Sequence, residues 1–484
     1  MGHLVTVLPV NRIIEAEAGT NLLAALRSAG LAPDAPCGGS GQCGKCRVTV
    51  DGTEVLACQT AVHRDLTVIL PSADHSAILT GGIGTEGAIS PVREGYLLAF
   101  DIGTTTIAGY LLDSKVGTEL ATKSALNPQC AYGADVISRI RHALNGHMEG
   151  LTQRIRACLI DITEVLCKQA SISPAQIGTV SIVGNPAMQQ LFLGMKPDNL
   201  ATIPFSPVLT SAAVVEAKPY LPLCENAALL IVPDIAGFVG ADTVACVLAS
   251  AMDQQEKLTL LVDIGTNGEM VLGNRNRMVA CSTAAGPALE GANIHFGMRA
   301  AIGAIDHVRI ENSCLIPSVI GGTEAVGICG SGLIDAVAGA LELGLLNSRG
   351  RIQREDRIIP LTDRVWLTQE DIRQVQLAKG AIAAGIELMA AQLGVALSDI
   401  ENVYLAGAFG SYLDPSSACR IGLLPAVLED RITAIGNAAG SGAKLLARDR
   451  NALVHAQQLT EQIKFLELAT VPEFQRCFAK NMRF

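Results

Sequence analysis

Residues 37–46 read CGGSGQCGKC, and a fourth cysteine follows in VLACQT. Cys37, Cys43, Cys46 and Cys58 thus offer four thiols in one short segment. Four thiolates take either a tetrahedral zinc or the four terminal positions of a 2Fe–2S cluster. Zinc ribbons normally present two separate CxxC knuckles, and only Cys43–Cys46 has that spacing. Gly38, Gly39 and Gly41 let backbone N–H groups approach cluster sulfides and tune their potential, which favours the iron–sulfur cluster. The other ten of the fourteen cysteines are scattered through apolar segments and read as small core residues in a reducing cytoplasm.

A second chemistry is written twice. LLAFDIGTTTIAGYLLD (97–113) recurs as LTLLVDIGTNGEMVLG (258–273), each an apolar strand, an aspartate, a tight turn and a returning strand. The turns, Gly103, Thr104, Thr105 and Thr106 in one copy and Gly265, Thr266, Asn267 and Gly268 in the other, can receive phosphate oxygens on N–H groups and hydroxyls. Asp101 and Asp263 can then hold a hydrated Mg²⁺ beside them. Glu269 suits a role in orienting water or the cation, and equally a solvated face of the returning strand. Asp234 and Asp242 surround a glycine-rich turn and suit the walls of the same cleft, with a helix N-cap as the other reading of Asp242.

The elements that must position these groups follow from periodicity. Residues 1–72 read as two strands about a Val10-Asn11 turn, a short helix capped by Thr20 or Asn21 and stopped at Gly30, and further strands, together a small α+β β-grasp module. Residues 73–94 are rich in Gly, Ser and Thr and read as a linker. Apolar strands then alternate with amphipathic helices, and the repeat divides this α/β region into halves at 95–255 and 256–484. A net charge of −10 with no basic run argues against nucleic acid, and no apolar run is long enough to span a membrane.

The cysteine segment resembles ferredoxins of the plant and adrenodoxin-like group, with five residues instead of four between the first two cysteines. Its x11 gap before Cys58 is shorter than those domains usually carry, which implies a trimmed β-grasp. The paired DIGT loops resemble the two phosphate motifs of the actin-like (ASKHA) ATPase superfamily. That resemblance implies ATP with Mg²⁺, an adenosine-site turn at Gly407 and Gly410 in VYLAGAFGSYLD, and a helix-opening turn at Gly330, Ser331 and Gly332 in GICGSGLIDAV. The implied fold class is a β-grasp ferredoxin domain followed by a duplicated α/β actin-like ATPase.

Over nearly its full length the chain resembles the ATP-dependent reductive activators of corrinoid proteins. The order of ferredoxin loop, DIGTTT, GADVISRI, AGFVGADT, VDIGTNGE, AAGPALEGANIHFG, LAGAFGSYLD and IGNAAGSGA carries the match. The resemblance implies that Cys37, Cys43, Cys46 and Cys58 pass an electron to the corrinoid protein of a methyltransferase system, returning Co(II) to Co(I) at the expense of ATP. It implies a low-potential electron donor, and the apolar C-terminal half leaves room for a homodimer. Ser331, taken as exposed between two glycines, is a second candidate for meeting the corrinoid. The short passage from Pro71 to the first phosphate strand implies that the linker and middle region of larger members are missing. The rival readings are a small-molecule kinase with a redox-sensing ferredoxin domain, or an activator of another low-potential metalloenzyme.

Overall fold

The computed structural model describes residues 2–29, 31, 33, 35, 39, 41, 46–70, 80–84, 89–133 and 135–484. Cys37, Cys43, Gly30 and part of the 73–94 linker lie outside these residues.

The N-terminal sheet joins β1 (Gly2–Leu8), β2 (Arg12–Glu17), β3 (Arg47–Val50), β4 (Thr53–Leu56) and β5 (Leu66–Ile69) in the order β2-β1-β5-β3-β4. β5 runs parallel to β1, as a β-grasp requires. The two-residue period buries Val5, Val7, Val48 and Val68 on one face. Helix α1 (Leu22–Ser28), capped by the Asn21 side chain, lays Leu22, Leu23 and Leu26 over them.

The first ATPase half contains strands β6 (Tyr96–Ile102), β7 (Thr106–Leu112), β8 (Glu119–Leu126), β9 (Ile177–Gly184), β10 (Ala213–Glu216) and β11 (Ala228–Ile231). Its helices are α2 (Val136–His142), α3 (Met148–Ala170), α4 (Pro186–Leu193) and α5 (Ala241–Ser250). The second half opens with β12 (Thr259–Ile264), β13 (Gly268–Asn274) and β14 (Arg277–Thr283). A small sheet of β15 (Ala304–Glu311), β16 (Cys314–Val319) and β17 (Gly327–Ile328) leads into α6 (Gly330–Glu342). The hairpin β18 (Ile358–Pro360) and β19 (Trp366–Thr368) precedes α7 (Gln369–Leu393). The chain closes with β20 (Asn402–Ala406), α8 (Gly407–Tyr412), α9 (Pro415–Arg420), β21 (Ile432–Gly436), α10 (Ala438–Arg448), α11 (Arg450–Gln462), β22 (Ile463–Phe465) and α12 (Phe474–Asn481).

Both halves build the same sheet. The order is β8-β7-β6-β9-β11 in one and β14-β13-β12-β20-β21 in the other, each with the DIGT strand in the middle. In each, the second and third strands run antiparallel and the fourth and fifth parallel. The equivalent helices α5 and α10 meet between the sheets, in a core that draws Leu97 and Ala99 from β6, Leu261 from β12, Val244 from α5 and Ala443 from α10.

The described part of the linker is docked against this seam. The Gly81 carbonyl accepts the Asn437 N–H at 2.8 Å, and Gly82 bridges to Gly436. Thr80 accepts the Tyr110 hydroxyl at 2.9 Å and Ile83 that of Ser441 at 3.0 Å. Only a glycine fits at 82, because a Cβ there would stand 2.5 Å from the Asn437 carbonyl. The ferredoxin domain meets the first half a second time, where Arg154 of α3 donates to the Arg27 carbonyl of α1.

The α5–α10 crossing depends on Gly442, whose added Cβ would lie 2.1 Å from the Ala245 carbonyl. Gly442→Ala should cost about 2 kcal/mol or more, because backbone has to move. Gly150→Ala, on an open face of α3, should be neutral or stabilise by up to about 1 kcal/mol. The thermal midpoints of the two variants provide the check.

Candidate active site and cluster centre

Cys46 precedes β3 and Cys58 follows β4. The x11 gap between them is the hairpin itself, two four-residue strands joined by Asp51-Gly52 and closed by a short helical turn at Ala57–Gln59. Antiparallel pairing of Arg47 with Leu56 brings the two cysteines side by side, so the gap has no room for a further helix. The Cys58 N–H points at the Cys46 sulfur at 3.5 Å, the kind of N–H···S contact that stabilises a thiolate ligand. Asn21 holds the Cys58 carbonyl at 2.7 Å, which ties the same turn to the start of α1. Cys46 is buried and Cys58 partly so. These two residues fit a cluster; Cys37 and Cys43 lie outside the described residues.

Asp101 is the next-to-last residue of β6 and Asp263 that of β12, so the equivalent strands deliver both carboxyls to one cleft. Asn437, at the start of α10, donates from Nδ2 to Asp101 Oδ2 at 2.8 Å, while its Oδ1 caps the helix at the Gly440 N–H. Gly407, with φ +81°, passes Asp263 so closely that a Cβ would meet its Oδ1 at 2.7 Å. Glu269 pairs directly across the sheet from Asp263 and therefore shares its face, so it points into the cleft and is no solvated side chain. Asp242 occupies the first turn of α5, where the cap residue is Gly240, and accepts the Thr243 N–H at 2.7 Å; the N-cap reading does not hold.

The first DIGT loop is anchored from behind. Asn127 donates to the Gly103 carbonyl at 2.8 Å, Asn185 to Thr104 Oγ1 at 3.1 Å, and buried Arg139 of α2 to the Thr104 carbonyl. The two loops are then joined by one side chain. Glu290 accepts Thr105 Oγ1 at 2.7 Å and Thr266 Oγ1 at 2.8 Å, one on each carboxylate oxygen.

Asp101, Asp234, Asp242, Asp263 and Glu269 share this cleft with Glu290, and none of the six forms an ion pair with a Lys, Arg or His among the described residues. Burial pushes Asp101 up to about 7, opposed by the Asn437 bond and reinforced by the charges of Asp242 and Asp263. Asp263 is pushed up to about 7 by burial and by Asp242. Burial takes Asp242 to about 6, against the pull of backbone N–H groups. Asp234 and Glu269 rise well above the usual range, first from burial and then from Asp242, with Asp263 adding to Glu269. Such a cleft calls for a cation. No three donors stand within direct metal-binding reach among the described residues. Mg²⁺ that keeps its waters and takes one or two carboxylates together with phosphate oxygens fits that arrangement.

The glycines of the other two turns have packing duties. A Cβ on Gly330 would meet the Leu289 carbonyl at 1.9 Å, one on Gly332 the Ile305 carbonyl at 2.4 Å, and one on Gly410 the Leu405 Cβ at 3.0 Å. Ser331 is 5% exposed and donates to the Asp306 carbonyl at 2.8 Å, which overturns its reading as an exposed contact. Glu290 and Asn437 were not singled out from sequence. Their only signal is a polar residue fixed between glycines in AAGPALEG and IGNAAGSG.

Fold and site together define an actin-like ATPase of two equivalent halves with an N-terminal 2Fe–2S ferredoxin domain. Residues 5–66 match the 2Fe–2S iron–sulfur cluster binding domain, 96–255 the RACo middle region, and 257–484 the C-terminal domain of RACo, the ASKHA domain. The chain is 37% identical over 418 residues to "Corrinoid activation enzyme RamQ" of Eubacterium limosum, covering 80% of this chain and 70% of that one. It is 27% identical over 426 residues to "[Co(II) methylated amine-specific corrinoid protein] reductase" of Methanosarcina barkeri, covering 80% and 77%. The solved structure titled "Reductive activator for corrinoid,iron-sulfur protein" superposes with a TM-score of 0.75 at 27% identity, over 100% of this chain and 98% of that one. The chain belongs to the RACo family. The expectation of a missing middle region is overturned, because the first ATPase half is that region.

An acid whose pKa is higher in the folded than in the unfolded chain holds its proton more tightly when folded. Its stability contribution therefore falls as pH rises from 3.8 towards about 7, and the full cost is felt above that. Without Mg²⁺ or nucleotide, Asp263→Asn should gain about 1–2 kcal/mol at pH 8 and nothing at pH 3.5. Added Mg-ATP should stabilise the wild type and leave the variant unmoved. Thermal midpoints at the two pH values provide the check.

Proposed function

We propose that this chain is an ATP-dependent reductive activator that returns a corrinoid protein from Co(II) to Co(I). The observation that carries the reading is the link between its two chemistries. The segment leaving the ferredoxin domain pairs through Gly81 with Asn437, the residue that holds Asp101 in the nucleotide cleft. Family membership and the corrinoid-directed names of both relatives support the same substrate class. Among the described residues no helix is long and apolar enough to cross a membrane.

In this reading Cys37, Cys43, Cys46 and Cys58 hold a 2Fe–2S cluster, which when bound accepts and gives up one electron at a time. A low-potential donor loads it. Asp101, Asp263 and Glu269 orient hydrated Mg²⁺, while Gly103–Thr106 and Gly265–Gly268 hold the phosphates. Gly407 gives the adenosine side of the cleft a close backbone approach. An uphill step of ~300 mV costs about 7 kcal/mol for one electron, which nucleotide hydrolysis can supply. Closure of the two halves on ATP moves α10, and Asn437 with it, so the cleft and the ferredoxin strap shift together.

The experiment is anaerobic. Protein reduced at its cluster is mixed with Mg-ATP and a Co(II) corrinoid protein, and Co(I) is followed in the visible spectrum. Co(I) should form with the wild type. Cys58→Ser should lose the cluster absorption and all Co(I) formation while still binding nucleotide. Co(I) formation by Cys58→Ser at the wild-type rate, or phosphorylation of a small molecule with no corrinoid present, would sink the reading.

A further inference from the structure

We propose that Glu290 is a catalytic residue of the nucleotide step, orienting the water that attacks the terminal phosphate of ATP and accepting its proton. The inference rests on the nucleotide reading above and adds a residue to it. A terminal phosphate gripped by both loops lies where their hydroxyls converge. The side chain found at that point is Glu290, within hydrogen-bond reach of Thr105 from one half and Thr266 from the other. A carboxylate so placed is one water molecule away from a phosphate that takes over those two hydroxyls. That is the position a water-orienting group occupies in phosphoryl transfer.

The support behind Glu290 is stiff, as a catalytic group needs. Pro287 opens the short turn Pro287–Glu290 that carries it, between Gly286 with φ +77° and Gly291 with φ +78°. Gly291 is held against the Met298 backbone, where a Cβ would come within 2.5 Å of the carbonyl. Ala288 and Leu289 of the same turn are buried and do the packing, which leaves Glu290 turned to the cleft. The carboxylate comes from neither loop nor from the strands that carry Asp101, Asp263 and Glu269, and its charge still reaches Asp263.

The step balances simply. The water oxygen forms a bond to the terminal phosphorus, and the bond from that phosphorus to the bridging oxygen breaks. ADP leaves with the electron pair, and the water proton passes to the Glu290 carboxylate and on to solvent.

Glu290→Gln tests this in the full chain with its cluster in place. The amide can still accept one threonine hydroxyl and donate to the oxygen of the other, so the bridge and the fold should survive. Binding of a fluorescent ATP analogue should stay within about threefold of wild type, with an unchanged thermal midpoint and cluster spectrum. Phosphate release in the presence of a Co(II) corrinoid protein should fall by about 100-fold or more. Hydrolysis within threefold of wild type would overturn the inference, as would parallel loss of binding and hydrolysis, which would make Glu290 a binding residue only. A wild-type chain that binds no ATP would overturn the nucleotide reading itself.

Discussion

The constraint on which the rest of the structure depends is the crowding of acid under the two phosphate loops. Burial raises the proton affinity of Asp101, Asp234, Asp242, Asp263 and Glu269, the charge of Asp242 adds to that of the other four, and no cationic partner stands beside them among the described residues. A fold selected for stability alone would not keep them, since unpaired buried charge is among the costliest features a core can carry. On the proposed function the cost is offset when a cation and a phosphate chain enter. The cleft is therefore stabilised by its own substrate, and the affinity of that substrate can drive closure of the two halves.

Closure matters because of what is attached to it. α10 carries Asn437, which touches Asp101 with its side chain and the ferredoxin linker with its backbone. α5 and α10 cross at Gly442 without an intervening side chain, so one helix cannot shift without the other. On the far side Arg154 ties α3 to the end of α1. The ferredoxin domain is thus held at two points on the first half and its seam, and a change at the phosphates has a short mechanical route to the electron carrier.

Much of this was legible in the sequence. The repeated DIGT strands gave away the duplicated sheets, since an aspartate at the end of an apolar strand followed by a glycine turn has few structural readings. The cysteine spacing and the strands around it gave away the β-grasp. The x11 gap looked like an anomaly because cysteine spacing alone does not show that a complete hairpin fits inside it. Glu290 and Asn437 escaped for a different reason. Each acts through partners 185 and 336 residues away in the chain, and local pattern carries no trace of such distant contacts. Ser331 misled for the opposite reason, because a serine between glycines looks open in sequence but here is buried with its hydroxyl on the Asp306 carbonyl.

The central claim is that ATP drives an electron further uphill than the donor alone can send it. The direct measurement is the equilibrium yield of Co(I) corrinoid protein at a fixed donor potential, with the full chain present and either ATP or ADP added. The account predicts a yield with ATP above the value set by the donor and the cobalt couple, falling back to that value with ADP. Equal yields with the two nucleotides would contradict it.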